Sequence, residues 1–231
     1  LAGATGQTAT ALEDRSGVRS LGRADLGVAG AIGLSACLVL LVLAQVYPIH
    51  DFYVTGNELM SNDQVGYITT ARWLAETGEL RSHLIYPAHV REPRWRLYMP
   101  GMYYVLAVGH ILFGPGDVAW RIPAMLSFIL AALGVFLIGR RFYGRAEGVV
   151  GAVLFMLFPP IGAFALTAMP QVPFMAVGVC AFCIFAYLPS GLRLYLVPAL
   201  LVGPFLFRET GALLVIPMLL VLLRERQSRR W

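Results

Sequence analysis

Residues 26–46, LGVAGAIGLSACLVLLVLAQV, contain no charged side chain. About 20 apolar residues carry a helix across the hydrocarbon core of a bilayer, because each residue adds roughly 1.5 Å of rise. Comparable runs recur at Val118–Ile138, Ala146–Leu166 and Pro170–Leu188. A longer one, Leu192–Leu223, exceeds a single crossing and is interrupted by FRETG at Phe207–Gly211, which divides it into two short helices. A chain that is 58% hydrophobic and 13% charged lies outside the soluble globular range. The expected fold is an all-α integral membrane protein with about six transmembrane helices. Within the first run, Gly27, Gly30 and Gly33 are spaced for a close helix neighbour.

Orientation follows from arginine, which supplies all eighteen basic residues. Arg15, Arg19 and Arg23 precede the first run; Arg140, Arg141 and Arg145 separate the second from the third; Arg193 follows the fourth; Arg224, Arg226, Arg229 and Arg230 close the chain. Short arginine-rich loops stay cytoplasmic. Six crossings put all of these groups on that side if Met99–Phe113 lies on the membrane surface instead of crossing it. At fifteen residues, with Pro100 near its start and His110 near its end, that segment is short for a span. The arginines form no continuous basic face, which argues against a nucleic-acid partner. Residues 1–25 are polar and lack the apolar core of a secretory signal, so they read as a disordered cytoplasmic tail. Residues 225–231 read as a basic cytoplasmic end. Between them, 26–224 forms the transmembrane module, placed in the inner membrane with both ends cytoplasmic and the long loop 47–117 outside.

That outer loop concentrates the polar chemistry. All four histidines lie in it, with Asp51, Glu58, Asp63, Glu76, Glu79 and Glu92. The stretch SNDQVGYITTARWLAETGEL, residues 61–80, has the marks of an interfacial helix over 62–77. Ser61 with Gln64 fits a capping box, and Gly78 is a natural stop. Val65, Ile68, Ala71 and Ala75, flanked by Tyr67 and Leu74, form an apolar face suited to the membrane surface. By spacing alone, Asp63 offsets the positive end of this helix. The second interfacial helix is 99–113. Cys180 and Cys183 make a CxxC inside a run, without a second ligand pair, and read as small core residues.

An apolar span followed by an acid-opened YxxxAxxxxxxG helix resembles the first outer loop of the GT-C membrane glycosyltransferases, which include protein O-mannosyltransferases and aminoarabinose transferases. YMPGMYYVLAVGHILFG (98–114) is similar to the juxtamembrane segment of that superfamily, and PGDVAWRIPAML carries Arg121 at the position of its arginine. GRRFYGR looks like its cytoplasmic loop and LVGPFLFRETG like its late basic-Glu-Gly turn. The resemblance runs over roughly 35–224. It departs from the pattern at Gln64, where the acidic pair is usually Asp-Glu; at Gln171, where a second outer acid is common; and at Met99, where a basic residue is common.

The resemblance implies an inverting transfer of sugar from a polyprenyl-phosphate donor to an acceptor at the outer face. A phosphate leaving group departs without a proton, so one carboxylate is the main requirement, as general base or as ligand of a divalent metal. Asp63 takes that place in either role. Cations hold the donor phosphate and stabilise its developing charge; here the candidates are Arg208, Arg121, Arg94 and Arg96. Each has a plainer reading: Arg208 pairs with Glu209, Arg121 anchors a helix end, and Arg94 and Arg96 meet lipid headgroups. Members of the superfamily are longer, so these 231 residues correspond to a donor-side half. The alternative function is a non-catalytic, shortened relative that serves as scaffold with membrane protein partners. A transporter would want broken helices or polar groups near the midplane, and the interruption at FRETG falls at a span end.

Overall fold

The computed structural model describes residues 22–46, 58–80 and 99–228. The described residues form helices and no strand: α1 (Arg23–Val46), α2 (Glu58–Thr77), α3 (Gly101–Phe113), α4 (Asp117–Phe142), α5 (Arg145–Leu157), α6 (Pro159–Ala165), α7 (Gln171–Tyr187), α8 (Ser190–Phe207), a 3-10 segment (Glu209–Leu214) and α9 (Val215–Ser228). The all-α membrane class holds. The tail before residue 22, residues 47–57 and 81–98 of the outer loop and the last three residues lie outside the described parts.

Helix α4 is the centre of the bundle, packing on α1, α3, α5, α6 and α7. Ala124, Phe128, Ala131, Ala132 and Phe136 are fully buried, so its small residues draw neighbours in while two phenylalanines fill the gaps. Ile32, Ala36 and Leu40 of α1, one residue in four, lie in the cluster with Phe128, Ala132 and Phe136. The rest of α1 stays open: 17% of its apolar window is buried, against 39% for α4. Outward leucines such as Leu34 and Leu41 are a cost in water and at home in lipid. Among the described residues nothing lies within 4 Å of where a Cβ on Gly27, Gly30 or Gly33 would stand, so none of them supplies the expected close neighbour. The intimate crossing is between α4 and α5, where a Cβ on Gly139 would come within 2.6 Å of Gly148 Cα.

The expected count of six crossings is where the structure is coarser than the sequence reading. Helices α1 and α4 are each long and apolar enough to cross, with a third crossing if α5 and α6 count as one broken span. The expected run 146–166 is bent by 67° between these two helices. Its cause is the doublet Pro159–Pro160: neither residue has an N–H to donate, and Phe158 ahead of them takes extended backbone (φ −76°, ψ 107°). The bend opens an apolar groove of about 330 Å³ between α1 and α5, lined by Leu38, Leu43, Met156 and Phe158 among others. The final apolar stretch splits at FRETG as expected: α8 stops at Phe207, and a 3-10 turn leads into α9, which packs Met218 against Phe185 and Val197. Cys183 is buried and donates to the Gly134 carbonyl at 3.2 Å, which makes it a core residue.

At one end of the bundle the arginines converge. Asp25, 3% exposed, accepts from Arg140 at 2.6 Å and from Arg145 at 2.9 Å, tying the start of α1 to the α4–α5 turn. Arg141 and Arg193 both donate to the Ala186 carbonyl, and Arg193 also to Leu188, so they satisfy carbonyls that the end of α7 leaves open. Arg140, Arg141, Arg145 and Arg193 thus share one end.

Candidate functional site

Since α4 and α7 finish at the arginine end and α8 begins there, their other termini define the opposite end. This end holds the start of α4, the α6–α7 hinge, the start of α7 and the finish of α8. Helices α2 and α3 pack onto it.

Helix α2 starts at Glu58, a turn earlier than its sequence suggests, so Ser61 lies inside the helix and is not the residue that opens it. Gln64 is buried instead, and its Oε1 accepts the Ala168 N–H at 3.4 Å across 104 residues of sequence. The expected stop at Gly78 is realised: its φ of +74° is open to glycine, and its N–H bonds to the Leu74 carbonyl at 2.9 Å. The apolar face expected on the membrane surface packs on protein. Tyr67 and Ala71 join Met102, Tyr103, Leu106 and Ala107 of α3 in one cluster, with Trp120, Ala168 and Met169, and the rings of Tyr67 and Tyr103 lie 5.4 Å apart. Burial of this kind contributes about 25 cal/mol per Å² of apolar surface, which is what fastens α2 to the bundle.

Asp63 precedes Gln64 on the second turn of α2; its side chain is outside the described parts, as are Arg94 and Arg96 in full. Arg121 sits beside Trp120 near the start of α4. It is 7% exposed and already engaged in interactions within the protein. Trp120 stacks on His110 of α3 at 4.9 Å. Arg208 follows directly on Phe207, which packs against the same cluster. The approach is close because Gly101 of α3 faces the Leu206 carbonyl with no side chain between them. Arg208 has extended backbone and is exposed, and among the described residues neither it nor Glu209 has an ion-pair partner. The expected Arg208–Glu209 pair is therefore absent. The structure thus brings the backbone positions of Asp63, Arg121 and Arg208 around one apolar cluster.

Thr70 Oγ1, His110 Nδ1 and Gln171 Oε1 are among the buried polar atoms that find no hydrogen-bond partner among the described residues. Gln171 is the first residue of α7, at the hinge that Gln64 holds. Periodicity marks Gln64 as part of the Tyr67–Ala71 face, yet nothing local in the sequence names Ala168 as its partner. No three His, Cys, Asp or Glu side chains come together among the described residues, so this set alone provides no metal cage.

A family model of the dolichyl-phosphate-mannose-protein mannosyltransferases matches residues 93–231, more than half of the chain. The chain belongs to this family. It is a GT-C superfamily family, so the membrane character and glycosyltransferase kinship expected from the motifs hold. In mannosyltransferase terms, the matched part includes Arg94, Arg96, Arg121, Gln171 and Arg208, and leaves α2 with Asp63 outside. No curated protein and no solved structure matches.

Proposed function

We propose that this mannosyltransferase-family chain is the donor-side module of a membrane glycosyltransferase. It takes a sugar from a polyprenyl-phosphate donor at the outer membrane face and passes it, with inversion, to an acceptor hydroxyl. The family's own name points to mannose on dolichyl phosphate as the donor type. The observation that carries this reading is the gathering of α2, Arg121 and Arg208 at the bundle end opposite the arginine clamp. Short arginine-rich loops stay cytoplasmic, so the clamp faces the cytoplasm and the gathered end faces out. On this reading the broken α5–α6 pair, α7, α8 and α9 complete six crossings with α1 and α4, in the inner membrane with both ends cytoplasmic.

The acceptor oxygen attacks the anomeric carbon from the face opposite the phosphate. The Asp63 carboxylate takes its proton as that bond forms. The sugar–phosphate bond breaks with its electron pair going to phosphate, and no general acid is needed. Arg208, exposed and without an ion-pair partner among the described residues, meets the phosphate first. Arg121, Arg94 and Arg96 complete the positive surround. If a divalent metal binds, Asp63 is its ligand and the metal supplies charge neutralisation at the phosphate; the step above is derived without it.

The test is transfer itself. Protein purified in detergent, given polyprenyl-phosphate mannose and a hydroxyl acceptor, releases free polyprenyl phosphate in step with product. A protein that binds donor but never releases it supports a second reading, the non-catalytic scaffold with membrane protein partners. Two observations favour that alternative: the family match begins after Asp63, and Gln64 and Gln171 are neutral amides at the hinge.

A further inference from the structure

Gln64 and Gln171 flank the same turn, and their amides are treated differently. Gln64 Oε1 is taken by the Ala168 N–H. Three residues later in the chain, Gln171 is half-buried, and its Oε1 meets almost no solvent and has no partner among the described residues. The local backbone offers it little, since Pro170 and Pro173 on either side have no N–H. A buried amide oxygen left unpaired loses its hydration and gets nothing in return, and native proteins keep few such groups. It sits at the hinge against which α2 packs, next to the helix that carries Asp63.

The chemistry of the missing partner can be narrowed. An amide is neutral, so it does not serve to hold the donor phosphate, a task suited to Arg208. Its oxygen wants an O–H or N–H donor. A hydroxyl donates and accepts, so it satisfies this amide whichever of its two ends faces inward. Hydroxyls are what both substrates of a sugar transfer carry.

We propose that Gln171 is a substrate-recognition residue whose amide hydrogen-bonds a hydroxyl, on the donor's sugar or on the acceptor. This rests on the transferase reading above and adds to it the residue that reads the sugar or alcohol.

The test uses Gln171→Met, which removes the amide at similar volume, and Gln171→Glu, which keeps an acceptor oxygen there. Heat stability without ligand, affinity for polyprenyl-phosphate mannose, affinity for bare polyprenyl phosphate and KM for a Ser/Thr peptide are measured on the whole chain. Gln171→Met is expected to melt at or above the wild-type temperature, because it removes an unsatisfied buried group. About tenfold weaker binding of the mannosylated lipid, with bare lipid unaffected, identifies a sugar hydroxyl. Unchanged donor binding with about a tenfold higher peptide KM identifies the acceptor hydroxyl. In both cases Gln171→Glu retains most of the lost interaction. Unchanged affinities and KM in Gln171→Met, or a lower melting temperature, overturn the inference. Wild-type protein that binds no donor overturns the transferase reading, whereas normal donor binding that is indifferent to residue 171 overturns only the role given to Gln171.

Discussion

Adding one methyl group at Gly139 tests the packing that fixes the bundle. A Cβ there would lie 2.6 Å from Gly148 Cα, and a Cβ on Gly148 would lie 2.6 Å from the Phe136 carbonyl oxygen and 2.8 Å from Arg140 N. These are backbone atoms, which cannot swing aside as a side chain does. Carbon atoms settle at about 3.5–4.0 Å, so α4 and α5 must part by about 1 Å along the crossing. Overpacking of this kind costs roughly 1–3 kcal/mol, against which alanine recovers up to about 1 kcal/mol of helix propensity. In a chain of this length each kcal/mol moves the melting temperature by about 2–4 °C, so Gly139→Ala should melt about 2–12 °C below a variant that gains the same helix propensity without the clash. The assay is the fraction of detergent-solubilised protein that remains monodisperse after heating. Gly30→Ala is the control, since no described residue lies within 4 Å of where its Cβ would stand; it should melt at the wild-type temperature or slightly above. In the Gly139→Ala, Gly148→Ala double variant the second change should cost less than the first, the helices being already apart. A Gly139→Ala protein as heat-resistant as Gly30→Ala would refute the close crossing.

Arg208→Gln should leave heat stability within about 0.5 kcal/mol of wild type, because the side chain is exposed and has no ion-pair partner among the described residues. The same change should weaken polyprenyl-phosphate binding by about tenfold or more, read by displacement of a labelled lipid phosphate. A large stability loss with unchanged binding would assign Arg208 to the scaffold. At the other end, Asp25→Asn should lower heat resistance more than Arg145→Gln. Losing Asp25 removes the carboxylate that balances Arg140, whose side chain is 10% exposed, whereas losing Arg145, 51% exposed, leaves Asp25 still paired with Arg140. Equal melting temperatures for the two variants would show that the clamp is not buried in solution.

How much of this was legible depends on whether the controlling interaction was local. Long apolar runs announced α1 and α4, because length and hydropathy are what the bilayer demands. The stop at Gly78 was legible because one backbone conformation at one residue decides it. The bend at Phe158 was not drawn from the run 146–166: hydropathy averages over Pro159 and Pro160, while the backbone feels two missing N–H groups in succession. Glycine spacing pointed to Gly27, Gly30 and Gly33, which no described residue approaches, whereas Gly139 and Gly148 make the contact from different helices. For α2 the apolar period was right and its partner was not. Whether such a face meets lipid or another helix is set by α3 and a hinge some hundred residues away. The same distance hid the bond from Gln64 to Ala168, and with it the isolation of the Gln171 amide.

The central claim is that the acid on α2 performs chemistry at the end of the bundle where Arg121 and Arg208 gather. Its most direct test is the rate of sugar transfer by Asp63→Asn, with donor binding measured on the same preparation. Loss of a general base costs about 10²–10⁴ in rate, so the account predicts transfer reduced at least a hundredfold and donor affinity near wild type. Transfer undiminished in Asp63→Asn would contradict it.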